Sequence, residues 1–298
     1  IIHHANKHRD TSSGLKVGGH QASSASAVSI MTALYFAHLR GPDRVSVKPH
    51  AAPVLHAIEF LPGLLDPAFL TTLRQFGGLQ SYPSRLKDPI AADFSTGSVG
   101  IGATAPIWSA LAHRYVAGHF DVPRGGREVS IVGDAELDEG ACWEAIVEPV
   151  VSQLGEVLWV VDLNRQSLDR VVPGVRIDQW RGQFESAGWH VVEVKYGARL
   201  QAAFARSGGI ALRGWLDAMP NEHYQSLFGL AGDALRERLL DGSPHDVVTF
   251  VDTIEDDELS ALVTDLGGHS MAAMLAAYAE CDRVRDRPSV VFAYTIKG

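Results

Sequence analysis

The sequence predicts an α/β protein, a doubly wound parallel sheet with helices on both faces. Two runs rich in β-branched residues, Ser130-Ile131-Val132 and Trp159-Val160-Val161, read as fully buried strands, and each leads into a helical stretch. Each run also stops at a side chain able to ligate a metal, Asp134 after Gly133 and Asn164 after Leu163. In an open parallel sheet, ligands collect beyond the carboxyl ends of the strands, so an acid and an amide that end neighbouring strands would converge there. A hard cation such as Mg²⁺ takes oxygen ligands and keeps phosphate oxygens in its shell, and the layout is that of a metal-diphosphate site.

Taken in order, Gln21 to Arg40 is a small-residue and apolar stretch (Ala25, Val28, Ile30, Met31, Leu34, Phe36) that reads as one buried helix. Val45-Ser46-Val47 is a short strand, and a helix over Ala51 to Leu61 follows His50. Pro83 to Asp93 is loop. Thr96-Gly97-Ser98-Val99-Gly100-Ile101-Gly102 is a glycine turn that opens a helix from Ala103 to Gly118. After the strand that ends at Asp134, a helix begins near Glu139 and runs through Ala141, Trp143, Ile146 and Val147, its amide dipoles aimed at the strand end. The strand that ends at Asn164 gives way to an irregular segment with Pro173 and Gly174, a helix around Gln179 to Ala187 and the strand His190-Val191-Val192-Glu193-Val194. Residues 197–288 read as helical and polar, with alternating charge from Asp233 to Arg238, and the strand Ser289 to Thr295 is the last element.

With 298 residues, 46% of them hydrophobic, the chain can bury a sizeable core. A net charge of -9 gives no reason to expect nucleic acid or an anionic membrane as partner, and a diphosphate bound to so acidic a protein calls for a metal. Two cysteines, Cys142 and Cys281, cannot build a disulfide framework and point to a reducing, cytoplasmic setting. No apolar run approaches membrane-spanning length. The chain starts without a methionine and stops at Lys297-Gly298 just after a strand, so residues 1–298 are expected to be one domain, an excerpt or half-subunit.

Gly133-Asp134-Ala135, with Asn164 after a further 28 residues, resembles the Gly-Asp-Gly...Asn motif of thiamine diphosphate enzymes. Six further segments resemble the homodimeric type of pyruvate dehydrogenase decarboxylase component, and more distantly transketolase. They are Gly18-Gly19-His20, Ser81-Tyr82-Pro83, Asn164-Arg165-Gln166-Ser167-Leu168-Asp169, Phe184-Glu185-Ser186-Ala187-Gly188-Trp189, Gly267-Gly268-His269 and Tyr294-Thr295-Ile296-Lys297-Gly298. They stand in the family's order and spread over nearly the whole chain.

The resemblance implies a diphosphate-binding domain that lacks its pyrimidine-binding partner. Asp134, Asn164 and the backbone carbonyl of Gln166 would bind Mg²⁺, which bridges the two phosphates of thiamine diphosphate. Ser23, His50, Gly97, Gly133, Ala135, Glu136 and Leu168 complete the expected cofactor contacts. His20, Tyr82 and His269 would face the reacting centre, His20 donating to a substrate oxygen. His56, His113, His190 and His223 read as core or surface residues. Two positions depart from the pattern: Ala135 replaces the second glycine, which would allow positive φ, and Asp162 stands where the family has an asparagine. The implied activity is decarboxylation of a pyruvate-like 2-oxo acid with acyl transfer, in a homodimer whose activating glutamate lies outside this chain; a lipoyl-bearing acyltransferase is one partner the resemblance offers, and the acyl acceptor stays open. Transketolase-type transfer of a two-carbon unit between sugar phosphates and a noncatalytic half-subunit stay open as alternatives.

Overall fold

The computed structural model describes residues 1–9, 17–19, 21–123, 125–164, 166–167, 170–171 and 175–297. In chain order the strands are β1 (Arg44–Ser46), β2 (Glu128–Gly133), β3 (Val157–Leu163), β4 (Gln166–Ser167), β5 (Arg170–Val171), β6 (His190–Val194) and β7 (Ser289–Tyr294). Five of them form one all-parallel sheet in the order β1-β2-β3-β7-β6, and β4 and β5 pair as a short antiparallel ribbon. The predicted doubly wound sheet is therefore present. Its register sets Gly133 beside Asp162 and Asp162 beside Ala293, which brings the ends of β2, β3 and β7 level.

The first helices are α1 (Gln21–Ala25), α2 (Val28–Ala33), α3 (Ala52–Phe60), α4 (Ile101–His119), α5 (Gly140–Ile146) and α6 (Val175–Ser186). The polar stretch before β7 holds α7 (Ala198–Ala205), α8 (Gly209–Ala218), α9 (Asn221–Gln225), α10 (Gly232–Leu240), α11 (His245–Val251), α12 (Asp256–Val263) and α13 (Met271–Arg283).

Strand alternation divides the core in two. Trp159, Val161, Leu163 and Phe292 pack with Ile107 of α4, Ile146 of α5 and Phe184 of α6. On the other face Leu158, Val160 and Val291 pack with Ile30 and Met31 of α2, Leu55 of α3 and Tyr278 of α13. Phe184 lies edge-on to Trp159, Trp189 and Phe292, at ring separations of 6.0, 5.2 and 5.7 Å. Truncating it to alanine would cost about 3–5 kcal/mol. No helix among the described residues is long and apolar enough to cross a membrane.

One expected element differs. Gln21 to Arg40 is not a single helix: α1 and α2 are separated by a turn at Ser26-Ala27, and the chain then widens into a π-turn over Leu34–His38. The break has a polar cause, because Ser26 turns inward and donates its hydroxyl to Asp162 on β3 over 2.6 Å.

Candidate functional site

Asp134 leaves β2 directly into a 3-10 turn, Asp134–Asp138, and is 1% exposed. Its Oδ1 accepts the amide of Ala135 at 2.9 Å, which fixes the carboxylate at the strand end. Asn164 follows β3 and is 6% exposed, its own carbonyl accepting from Gln225 Nε2 at 3.3 Å. The ribbon that starts at Gln166 lies against the Asp134–Asp138 turn. The acid, the amide and the backbone of Gln166 thus gather beyond the ends of β2 and β3. This oxygen-only donor set, with one formal charge, fits a hard cation that still has room for phosphate oxygens. Among the described residues no three His, Cys, Asp or Glu side chains converge as a metal cluster.

The glycine turn forms the next wall. Gly97 has φ 153° and Gly100 φ 86°, conformations that favour glycine. A Cβ at Gly97 would come within 3.3 Å of the Tyr82 ring, and one at Gly100 within 3.1 Å of Glu139. Glu136 locks this turn to β2, accepting from the Gly133 amide at 2.9 Å and the Gly100 amide at 3.2 Å. Burial pushes its pKa up, opposed by those two amides and by the nearby Lys48 ammonium. Both of its carboxylate oxygens are engaged within the protein, so Glu136 is a strut between β2 and α4.

His50 stands in a 3-10 turn just after β1, exposed, with its ring edge-on to that of Tyr82 at 5.9 Å. Its carbonyl accepts from Ser24 at 3.2 Å, which joins α1 to this turn. Thr96 donates to Val47 at 3.0 Å and Ser46 to Gly102 at 2.6 Å, so the glycine turn is anchored to β1 as well. Ser23, half-buried, lies in the same helix as Ser24. His269 closes the far side. Its Nε2 accepts the amide of Ile296 at 2.8 Å, and burial lowers its pKa against the opposing pull of Asp162 and Asp265. Gly268 permits this approach, since a Cβ there would lie 2.6 Å from the carbonyl of Tyr294.

The structure therefore brings Asp134, Asn164, Glu136, Gly97, Gly133, Ala135, Tyr82, His50, Ser23 and His269 to the carboxyl end of one sheet. His20 and Leu168 lie outside the described residues, as does the side chain of Gln166. Ala135, which stands in place of the family's second glycine, has no positive φ: Arg74 is the only non-glycine residue of positive φ among the described residues, so Ala135 occupies a conformation open to any residue.

Two residues that sequence reasoning left without a partner are joined. Lys48, 7% exposed, donates to Oδ2 of Asp162, which is fully buried. Asp162 also accepts from Ser26 at 2.6 Å and from Thr295 at 2.5 Å. Burial alone would raise its pKa, but the Lys48 charge and the three hydrogen bonds outweigh that and hold it below the usual carboxylate range. A lysine two residues before His50 was the available signal for this pair.

Residues 25–206 match the family described as transketolase, thiamine diphosphate binding domain. The chain is similar to the pyruvate dehydrogenase E1 component of Cupriavidus necator, at 30% identity over 100% of this chain and 34% of that protein. It is 29% identical to the pyruvate dehydrogenase E1 component of Escherichia coli K12, over 97% of this chain and 34% of that protein. This chain thus spans about a third of the length of these relatives. Among solved structures, transketolase from Leishmania mexicana superimposes with a TM-score of 0.57 at 17% identity, over 92% of this chain and 36% of that one. Transketolase from Campylobacter jejuni gives 0.57 at 15% identity, with the same coverage. At such identity the structural likeness speaks for the fold.

Proposed function

The chain belongs to the transketolase family of thiamine diphosphate-binding domains, and from that premise we propose that its strand-end site holds the cofactor's diphosphate through Mg²⁺ for decarboxylation of a pyruvate-like 2-oxo acid. The observation that carries this reading is the pairing of a buried carboxylate and a buried amide, Asp134 and Asn164, at the level ends of β2 and β3. When bound, thiamine diphosphate supplies the electron sink that lets a 2-oxo acid part with carbon dioxide.

The chain's own residues bind and orient. Asp134, Asn164 and the Gln166 carbonyl hold the metal, while the glycine turn and Gly133 let backbone amides approach the phosphates. His50 stands against Tyr82, so each ring limits the other's orientation at the site wall. His269 is held neutral with its proton on Nδ1, because Nε2 is occupied as an acceptor, and it offers that proton as a hydrogen-bond donor. His20 is proposed to donate to the substrate oxygen. Residues 1–298 are proposed as one diphosphate-binding domain, completed by a pyrimidine-binding domain that the rest of a pyruvate dehydrogenase E1-like assembly would contribute.

The test supplies the chain with Mg²⁺, thiamine diphosphate and the remaining domains of a pyruvate dehydrogenase E1 component, then compares pyruvate with a ketose phosphate. Release of carbon dioxide from pyruvate is the expected outcome. Two-carbon transfer from the ketose phosphate would replace this reading by the transketolase type, and absence of cofactor binding would reject enzymatic function.

A further inference from the structure

On β3, the side chains of Leu158 and Val160 fill the core face shared with α2 and α13, and Asp162 continues that alternation with a carboxylate where an apolar residue would otherwise serve. A fully buried charge is costly unless paired and hydrogen-bonded, so its presence needs a local reason. The three donors that satisfy it come from three different segments. Ser26 follows α1, the helix of Ser23 and Ser24. Lys48 lies two residues before His50. Thr295 directly precedes Ile296, whose amide holds His269, and its own backbone amide binds the carbonyl of Leu163. Asp162 itself stands two residues before Asn164.

We infer that Asp162 is a positioning residue, a buried three-way acceptor that sets the segments bearing Ser23, His50 and His269 against the Asn164 strand end, with Lys48 as its required counter-charge. The pair is neutral as a whole, so it fixes geometry without competing with a metal for the diphosphate. The cofactor side of this inference rests on the reading proposed above, whereas the tethering side stands on the contacts alone.

Three variants of the full chain separate placement from mere packing. The single change Asp162→Asn strands a buried ammonium and should lower the melting temperature by roughly 5–15 °C. Lys48→Gln/Asp162→Asn removes both charges but keeps complementary amides, and should recover most of that loss and bind thiamine diphosphate with Mg²⁺ as the parent does. Lys48→Met/Asp162→Val gives an apolar pair of similar size, which a buried ion pair usually tolerates. It should melt a few degrees below the parent, because the buried Ser26 and Thr295 hydroxyls lose their acceptor, and should bind Mg²⁺ and thiamine diphosphate roughly 10–100-fold more weakly, the scale on which residues behind metal and ligand contacts act. Without cofactor, its backbone amides at residues 48–52, 267–270 and 295–297 should exchange with deuterium faster than in the parent.

Parent-like exchange in those segments of Lys48→Met/Asp162→Val overturns the inference whatever the cofactor does. Parent-like affinity in that variant overturns it too, by making the pair a packing element. Weak binding by Lys48→Gln/Asp162→Asn at parent-like stability also overturns it, since charge rather than placement would then be what the site uses. A parent chain that binds no thiamine diphosphate when Mg²⁺ and the remaining E1 domains are supplied rejects the cofactor reading, and the exchange comparison then decides on the tethers by itself.

Discussion

Ile296 donates its backbone amide to Nε2 of His269 over 2.8 Å, and this one bond fixes the tautomer of the imidazole. With Nε2 acting as acceptor, the proton resides on Nδ1, and protonating the ring would break the bond to Ile296.

A pH dependence follows. Burial holds the folded-state pKa of His269 below the ordinary 6.5, so the unfolded chain binds more protons in the interval between the two values. The contribution of this group to stability is complete above about pH 6.5 and is lost as pH falls from there toward the lowered folded value. An NMR titration of the His269 ring should give a midpoint below 6.5 and a neutral Nδ1-H tautomer at pH 7.5. A midpoint above 6.5 would show that Asp162 and Asp265 dominate over burial.

Glu136 provides a stability test that needs no cofactor. Its two oxygens satisfy the amides of Gly133, half-buried, and of Gly100, buried. Glu136→Ala leaves two donors without partners, and each lost bond of this kind costs about 1–3 kcal/mol. Urea denaturation should therefore report a loss of roughly 2–6 kcal/mol. A change within about 0.5 kcal/mol, ordinary for a surface substitution, would remove the strut between β2 and α4 from the description.

Ala135 is expected to behave as a normal turn residue. Because its φ is not positive, Ala135→Gly gains no conformational relief and adds chain entropy to the unfolded state, lowering stability by about 0.5–1 kcal/mol. Thiamine diphosphate affinity should stay within a few-fold of the parent. A large gain in affinity on Ala135→Gly would mean that the site needs a backbone conformation other than the one described.

The parts of this structure that are legible in the sequence are those set by local pattern. β2 and β3 show themselves because runs such as Trp159-Val160-Val161 are buried on both faces, and a side chain that ends such a run lies at the carboxyl end of the sheet, where ligands gather. The resemblance adds His269 and Tyr82, which no periodicity marks. What the sequence hides is long-range polar pairing. The break between α1 and α2 follows from Ser26 reaching Asp162, 136 positions away, and Lys48 meets Asp162 across 114 positions. An apolar moment over Gln21 to Arg40 has no means of registering either contact. Likewise Glu136, a first-turn acid by sequence, becomes a strut only once Gly100 is brought to it by the packing of α4 on β2.

The central proposal is that Asp134 and Asn164 hold a metal-bound diphosphate, and calorimetric titration of thiamine diphosphate into the full chain and its Asp134→Ala variant, each assembled with the remaining domains of a pyruvate dehydrogenase E1 component and each with and without Mg²⁺, tests it most directly. The fold should survive the change, because Asp134 stands at the end of β2, outside the hydrogen-bonded ladder of the sheet. Binding by the parent should require Mg²⁺ and should weaken by roughly 10–100-fold or more in Asp134→Ala. Equal affinity of the two proteins in the presence of Mg²⁺, or parent binding indifferent to Mg²⁺, would contradict it.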